Sequence, residues 1–334
     1  MSGLETDGWE RLSLESEQLR AVVLPGRGGD VLSLEHRPSG SSLLWNAPWA
    51  TPAGPSVPAG ADFHDWYRGG WQDLFPNGGP PCVVDGVAHE QHGEAWRRTW
   101  SAREIDGGVE LEATLASLPL RARRRIELDG PTLRVRERIE HVGAEPLRWM
   151  WGHHPAWGGD LLDAGVHVDL PGGRVECCGL DLDATSRLAA VGEGDWPLAP
   201  GRDGATVDLS VVPERATRSH DFCVIRDLAD GWYALRNPRR GLGVALRFPR
   251  ELFRYLWMWQ AFDGAMIAPF DRGTYALALE PWTGPPSLAA AVARGAALRL
   301  APGEHVEAEL ELTTFAADER RVADVRPGGQ VVLA

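Results

Sequence analysis

The sequence predicts an all-β protein, a large antiparallel β-sandwich with few short helices. Three observations carry this expectation: Gly and Pro recur every dozen residues or so, the runs between them are short and either apolar or alternating, and helical periodicity is scarce. The interval from Gly108 to His141 shows the pattern most clearly. There VELEATLA, LRARRRIEL and TLRVRERIEH alternate apolar and charged positions, with turns at Leu118-Pro119 and Asp129-Gly130-Pro131. Such alternation describes antiparallel strands with one wet face.

Further strands are expected at Leu19 to Leu24, Val31 to His36, Arg148 to Gly152, Val166 to Leu170, Phe222 to Ile225, Trp232 to Asn237, Leu242 to Phe248, Leu252 to Gln260, Tyr275 to Pro281 and Val306 to Phe315. The best helical candidate is SLAAAVAR, from Ser287 to Arg294, which follows Pro285-Pro286 and starts with a residue able to cap it. From Thr51 to Pro81 the chain is too irregular for strands and too aromatic for an idle linker, so a long structured loop beside a site is expected. Large all-β sandwiches often run to this length as one unit, and a single domain over residues 1–334 is expected, its core spanning about 17–316.

The formal charge of −13 opposes sequence-independent binding to nucleic acid or anionic lipid, both of which need clustered positive charge. All 34 basic residues are arginine, which excludes a Schiff-base amine and a phosphate-loop lysine. Cys82, Cys177, Cys178 and Cys223 form no CxxC pair and no secreted disulfide framework, so reduced thiols are expected. The first residues, MSGLETDGWERLSLES, are polar and acidic, and no run of about eighteen apolar residues follows. These features predict a soluble cytoplasmic protein, a monomer or homodimer, with a small neutral ligand and no nucleic-acid or membrane partner.

Three stretches gather polar and aromatic residues beyond what packing requires. The first runs from Arg68-Gly69-Gly70-Trp71 to Gly79 and on to His92-Gly93 and Trp100. The second is Trp151 to Gly158, WGHHPAWG. In the third, Glu280-Pro281-Trp282 follows the apolar run YALAL. The ordered series RGG-x5-P-x2-G, HG-x6-W, HHPAWG and LEP resembles the motifs of the aldose 1-epimerase (galactose mutarotase) superfamily, including its hexose-6-phosphate epimerase branch, over residues from about 20 to 315.

That resemblance implies the galactose mutarotase-like supersandwich and a sugar site on its concave face. Carried over by motif, His92, His154 and Glu280 surround the anomeric centre and Arg68 contacts sugar oxygens. An acidic residue between the second and third motifs also touches hydroxyls in the family, and Asp221 is the candidate here. Trp71, Trp157 and Trp282 lie within the motifs and are candidate platforms for the apolar C–H face of a pyranose. His153 stands where the mutarotase branch often has Asn, and is expected to help shape the substrate pocket.

The chemistry of the residues agrees with this. Opening a cyclic hemiacetal removes the anomeric hydroxyl proton while the ring oxygen gains one, so a base and an acid must flank one C–O bond. Glu280 is expected as the base and His154 as the acid, with His92 and Arg68 as hydrogen-bonding groups. No metal or organic cofactor is needed. A metal held by His92, His153 and His154 is disfavoured, since adjacent strand residues point to opposite faces. The phosphate branch usually has Arg four residues after the HG histidine; Trp96 stands there, which favours an unphosphorylated sugar. Two alternatives remain at this level: a carbohydrate-binding or sensing protein without turnover, and a carbohydrate lyase.

Overall fold

The computed structural model describes residues 7–178, 180 and 183–334. Two antiparallel sheets dominate. The larger has eleven strands and runs, edge to edge, through Leu12–Glu15, Leu19–Leu24, Asp30–His36, Trp71–Leu74, Gly152–Trp157, Tyr275–Trp282, Tyr255–Phe262, Ser219–Arg226, Arg174–Cys178 and Val191–Asp195, with Ser41–Ser42 paired to Asp30–His36. The smaller has eight: His167–Asp169, Trp232–Asn237, Leu242–Arg247, His305–Ala316, Thr132–His141, Leu120–Asp129, Gly108–Thr114 and Ser101–Ile105. Among the described residues no helix is long and apolar enough to cross a membrane.

Period-two alternation sorts the central strands of the larger sheet into two faces. Leu277 and Leu279, Leu256 and Met258, Cys223 and Ile225, and Trp71 and Trp157 join the apolar core between the sheets. Their neighbours Ala276, Ala278 and Trp282, Trp257 and Trp259, Val224, Leu74 and Ala156 join a second apolar cluster on the opposite face. Loops carrying Trp45, Phe63, Tyr67, Trp96 and Phe270 complete that cluster. This second cluster surrounds the candidate site.

Two differences from the sequence expectations have local causes. The strand expected over Arg148 to Gly152 is two strands. Leu147–Trp149 pairs with Leu298–Leu300, and the chain then changes partner so that Gly152–Trp157 joins the large sheet. The irregular stretch from Thr51 to Pro81 contains a short helix, Phe63–Trp66, and the strand Trp71–Leu74. All four residues of that strand are buried, so no apolar–polar alternation marks it. The expected helix does form, over Leu288–Ala293, with the Ser287 side chain accepting from the Ala290 N–H.

A buried ionic cluster ties the two sheets together. Arg124 and Glu137, directly opposed in the small sheet, point inward, where they meet Asp73 and His153 from the large sheet. The Arg124 guanidinium pairs with both carboxylates, and Glu137 lies 3.0 Å from His153 Nε2. Trp71 Nε1 donates to His153 Nδ1 at 3.3 Å and Trp151 Nε1 donates to Asp73 at 2.6 Å. Burial, with Glu137 alongside, holds the Asp73 carboxyl up at about 7 against the pull of Arg124. Burial would raise Glu137 as well, but Arg124 and His153 outweigh it and hold that carboxyl low. Ligand atoms of Asp73, Glu137 and His153 lie within 4.8 Å of one another, a spacing a cation accepts, and Arg124 already supplies the cationic charge there.

Removing one partner of a buried ion network leaves uncompensated charge in the core. Arg124→Met is therefore expected to destabilise the fold by about 3–5 kcal/mol, read as a lower urea midpoint at pH 7. A midpoint equal to that of the wild type would show that the cluster contributes no net stability.

Candidate active site

On the outer face of the large sheet lies a cavity of about 270 Å³, lined by His92, His154, His220 and Glu280 among aromatic walls that include Tyr67, Trp257 and Trp259. Alternation explains the membership. Glu280 shares its face with Ala276, Ala278 and Trp282, and His154 shares its face with Ala156.

Glu280 is 2% exposed and His154 is 6% exposed. Glu280 Oε1 lies 3.5 Å from His154 Nε2, and Glu280 Oε2 accepts from Trp282 Nε1 at 2.9 Å. His154 Nδ1 is 3.3 Å from the Tyr67 hydroxyl. Burial pushes the Glu280 carboxyl up to about 8, against the hydrogen bond from Trp282. Burial also pushes His154 down to about 4. The contact therefore joins a carboxylic acid to a neutral imidazole, a pair that holds one proton and no net charge near pH 7.

His92 enters from a loop. Its φ is +58°, and it is followed by Gly93 at φ +72°, where an added Cβ would sit 2.4 Å from the Phe75 carbonyl oxygen. The glycine of the HG dipeptide is thus a backbone requirement of this tight approach. Gly79 N–H donates to His92 Nδ1 at 3.3 Å, which leaves Nε2 as the ring's donor. Burial, with His154 and His64 nearby, holds His92 well below its ordinary value. Gly152 serves the opposite wall: a Cβ there would meet the Trp282 indole at 2.0 Å.

The structure brings His92, His154 and Glu280 together around one cavity and places the other sequence candidates elsewhere. His153, adjacent to His154, points into the sandwich interior and belongs to the ionic cluster. Asp221 also faces inward, where its oxygens accept from the Arg187 backbone N–H at 2.6 Å and the Arg187 side chain at 2.7 Å. Its neighbour His220 is the cavity residue, with Nδ1 2.8 Å from Asp183 and Nε2 accepting from Trp259 Nε1 at 2.8 Å. A one-residue offset on a strand exchanges the faces, which is why Asp221 fails as a sugar contact. Arg68, set before the Trp71–Leu74 strand, turns away to pair with Asp7 at 2.8 Å.

The tryptophans are redistributed in the same way. Trp71 and Trp157 are core residues, the latter donating to the Tyr233 hydroxyl at 3.1 Å. Trp282 is fully buried behind Glu280 and stacks on Trp257, ring centroids 4.0 Å apart. The aromatic lining of the cavity comes instead from Trp257 and Trp259, with Phe63, Tyr67 and Phe270. The spacing of the two tryptophans in Leu256-Trp257-Met258-Trp259 was the available signal for their shared face. The outer face of the small sheet forms a wider depression of about 1430 Å³, but cross-strand pairs such as Arg123–Glu112 and Arg138–Glu307 line it, and no acid–base pair converges there.

This architecture is the galactose mutarotase-like fold. The chain aligns over 95% of its length with all of the Slr1438 protein from Synechocystis sp. PCC 6803, at 18% identity and a TM-score of 0.67. It aligns over 91% with all of a galactose mutarotase-like protein from Lactobacillus casei ATCC 334, at 16% identity and a TM-score of 0.64. For a galactose mutarotase-like protein from Clostridium acetobutylicum the cover is 92% of this chain and 96% of that one, at 14% identity and a TM-score of 0.62. The chain belongs to the family described as a domain of unknown function, DUF4432, whose profile matches residues 6–314. No curated protein matches it.

The raised Glu280 value has a consequence for stability. The folded state binds a proton that the unfolded chain, with an ordinary carboxyl near 4.3, releases. The stability this contributes is fully present below about 4.3 and is lost as pH rises through about 8. Glu280→Gln is expected to be more stable than the wild type at pH 9 than it is at pH 4, with a change in the difference on the order of a few kcal/mol in urea melts. A difference independent of pH would contradict the raised value.

Proposed function

We propose that this protein interconverts the anomers of an uncharged monosaccharide. The single observation that carries the reading is the Glu280 carboxyl set 3.5 Å from His154 Nε2 in a cavity the size of one sugar ring. The resemblance of the fold to galactose mutarotase-like proteins supports it. No arginine lines the cavity among the described residues, which fits a sugar without phosphate.

The reaction follows from where the proton rests. In the ring-opening step the Glu280 carboxylic acid gives its proton to the ring oxygen, while His154 takes the proton of the anomeric hydroxyl. The bond from C1 to the ring oxygen breaks and leaves an aldehyde, Glu280 as carboxylate and His154 as imidazolium. After rotation about C1–C2 the transfers reverse and the ring closes on the other face. This reverses the assignment expected from sequence, in which Glu280 was the base and His154 the acid of the opening step; here they take those roles only on closing. His92 Nε2 donates to a sugar oxygen, and Trp257 and Trp259 provide flat apolar surfaces for the C–H face of the ring. Each proton transfer of this kind contributes about 10²- to 10⁴-fold.

Saturation-exchange NMR on glucose, galactose and xylose is expected to show anomer exchange accelerated by the protein, and Glu280→Gln should abolish it with the fold intact. Because the pair must hold one proton, kcat/KM should fall below about pH 4, where both groups are protonated, and above about pH 8, where neither is. Sugar binding without exchange would reassign the protein to carbohydrate sensing, and an unsaturated, ultraviolet-absorbing product would indicate a lyase.

A further inference from the structure

Each member of the acid–base pair is held from its far side by a hydrogen bond, Glu280 by Trp282 and His154 by Tyr67. An indole N–H can only donate, so the contact from Trp282 Nε1 to Glu280 Oε2 at 2.9 Å fixes the direction at one end. With Oε2 accepting, the carboxyl proton sits on Oε1 and faces His154 Nε2 at 3.5 Å. On its other side His154 Nδ1 shares a hydrogen bond of 3.3 Å with the Tyr67 hydroxyl, and once the ring is protonated Nδ1–H can only donate to that oxygen.

Both ends are held rigidly. Trp282 stacks on Trp257 at 4.0 Å and is backed by Gly152, where no side chain fits. Tyr67 is 1% exposed, packs against Phe63 and Trp45, and is tied through its backbone N–H to the His64 carbonyl. The contrast with His153 on the same strand is informative, because that imidazole is backed by the carboxylate of Glu137 at 3.0 Å. His154 is backed by a phenol.

We propose that Tyr67 and Trp282 are the positioning residues of the acid–base pair, tethering its two ends with neutral dipoles so that one proton is shared without a compensating charge. This rests on the anomer-exchange reading for its kinetic consequences, but the two tethering hydrogen bonds are independent of turnover. Among the described residues the ionisable groups facing the pair include His64 and His220, which line the same cavity. His92 lies beside His154, ring centroids 6.1 Å apart, and Tyr233 lies behind Glu280. Arg27 and Asp30, behind Tyr67, pair with each other.

The test uses Trp282→Phe, which keeps an aromatic ring against Trp257, and Tyr67→Phe, which removes only the hydroxyl. Loss of the indole donor disfavours the carboxylate, so the alkaline limb of the rate profile should move up by about one pH unit. Loss of the phenol oxygen disfavours the imidazolium, so Tyr67→Phe should move the acid limb down. In both variants kcat should fall about 10- to 100-fold with KM within about twofold. A profile that does not move, or a rise in KM alone, would overturn the proposal and return these residues to packing or sugar contact. If the wild type exchanges no anomers, the functional reading fails and the tether is judged separately. Carbon-13 titration of Glu280 and nitrogen-15 titration of His154 without sugar should still shift in the two variants, and unmoved titrations would refute the tether. Should Trp282→Phe fail to fold, Tyr67→Phe carries the same test.

Discussion

A strand can offer consecutive residues only to opposite faces, and the site depends on that constraint at Gly152–Trp157. His153 and His154 differ by one position and occupy two unlike environments. One closes an ionic cluster between the sheets, and the other meets a buried carboxyl group across a cavity. The inner cluster joins Asp73 and His153 of the large sheet to Arg124 and Glu137 of the small one. It fixes from behind the strand that presents His154 in front. The same alternation on the Tyr275–Trp282 strand sets Glu280 and Trp282 on one side and the core leucines on the other.

The two faces treat charge in opposite ways. Inside the sandwich, a guanidinium compensates the carboxylates, and Glu137 stays ionised despite its burial. In the cavity neither Glu280 nor His154 has a countercharge among the described residues, and desolvation moves their proton affinities in the directions that make both neutral. Burial is the same in kind at both places, and the partner decides the outcome. A neutral pair suits a neutral substrate, since the proton needed at one sugar oxygen is already in place and the group ready to accept one lies beside it.

Much of this was legible in the chain. The strands at Leu19–Leu24 and Trp232–Asn237 lie where their apolar patterns put them, and the three strands from Gly108 to His141 follow their alternation. His92, His154 and Glu280 were recoverable because short motifs mark backbone demands, such as the left-handed turn at His92-Gly93, along with chemistry. Asp221 was not: the resemblance asks for an acidic residue between the second and third motifs, and the register of Ser219–Arg226 turns this one inward and leaves His220 at the cavity. Arg68 was misplaced for a different reason: its partner, Asp7, lies far away in sequence, and no local pattern announces the pair. Tyr67, Trp257 and Trp259 gave composition signals without addresses, since an aromatic residue packs equally well in the core and in a sugar-sized cavity.

The central claim is that Glu280 and His154 flank the anomeric centre of a bound sugar. A crystal structure of the protein soaked with a reducing monosaccharide tests it directly. The account predicts one ring in the 270 Å³ cavity, its anomeric and ring oxygens each within about 3.2 Å of a Glu280 oxygen or His154 Nε2. A sugar seated there with C1 turned to the cavity mouth, or bound only in the arginine- and glutamate-lined depression of the small sheet, would contradict it.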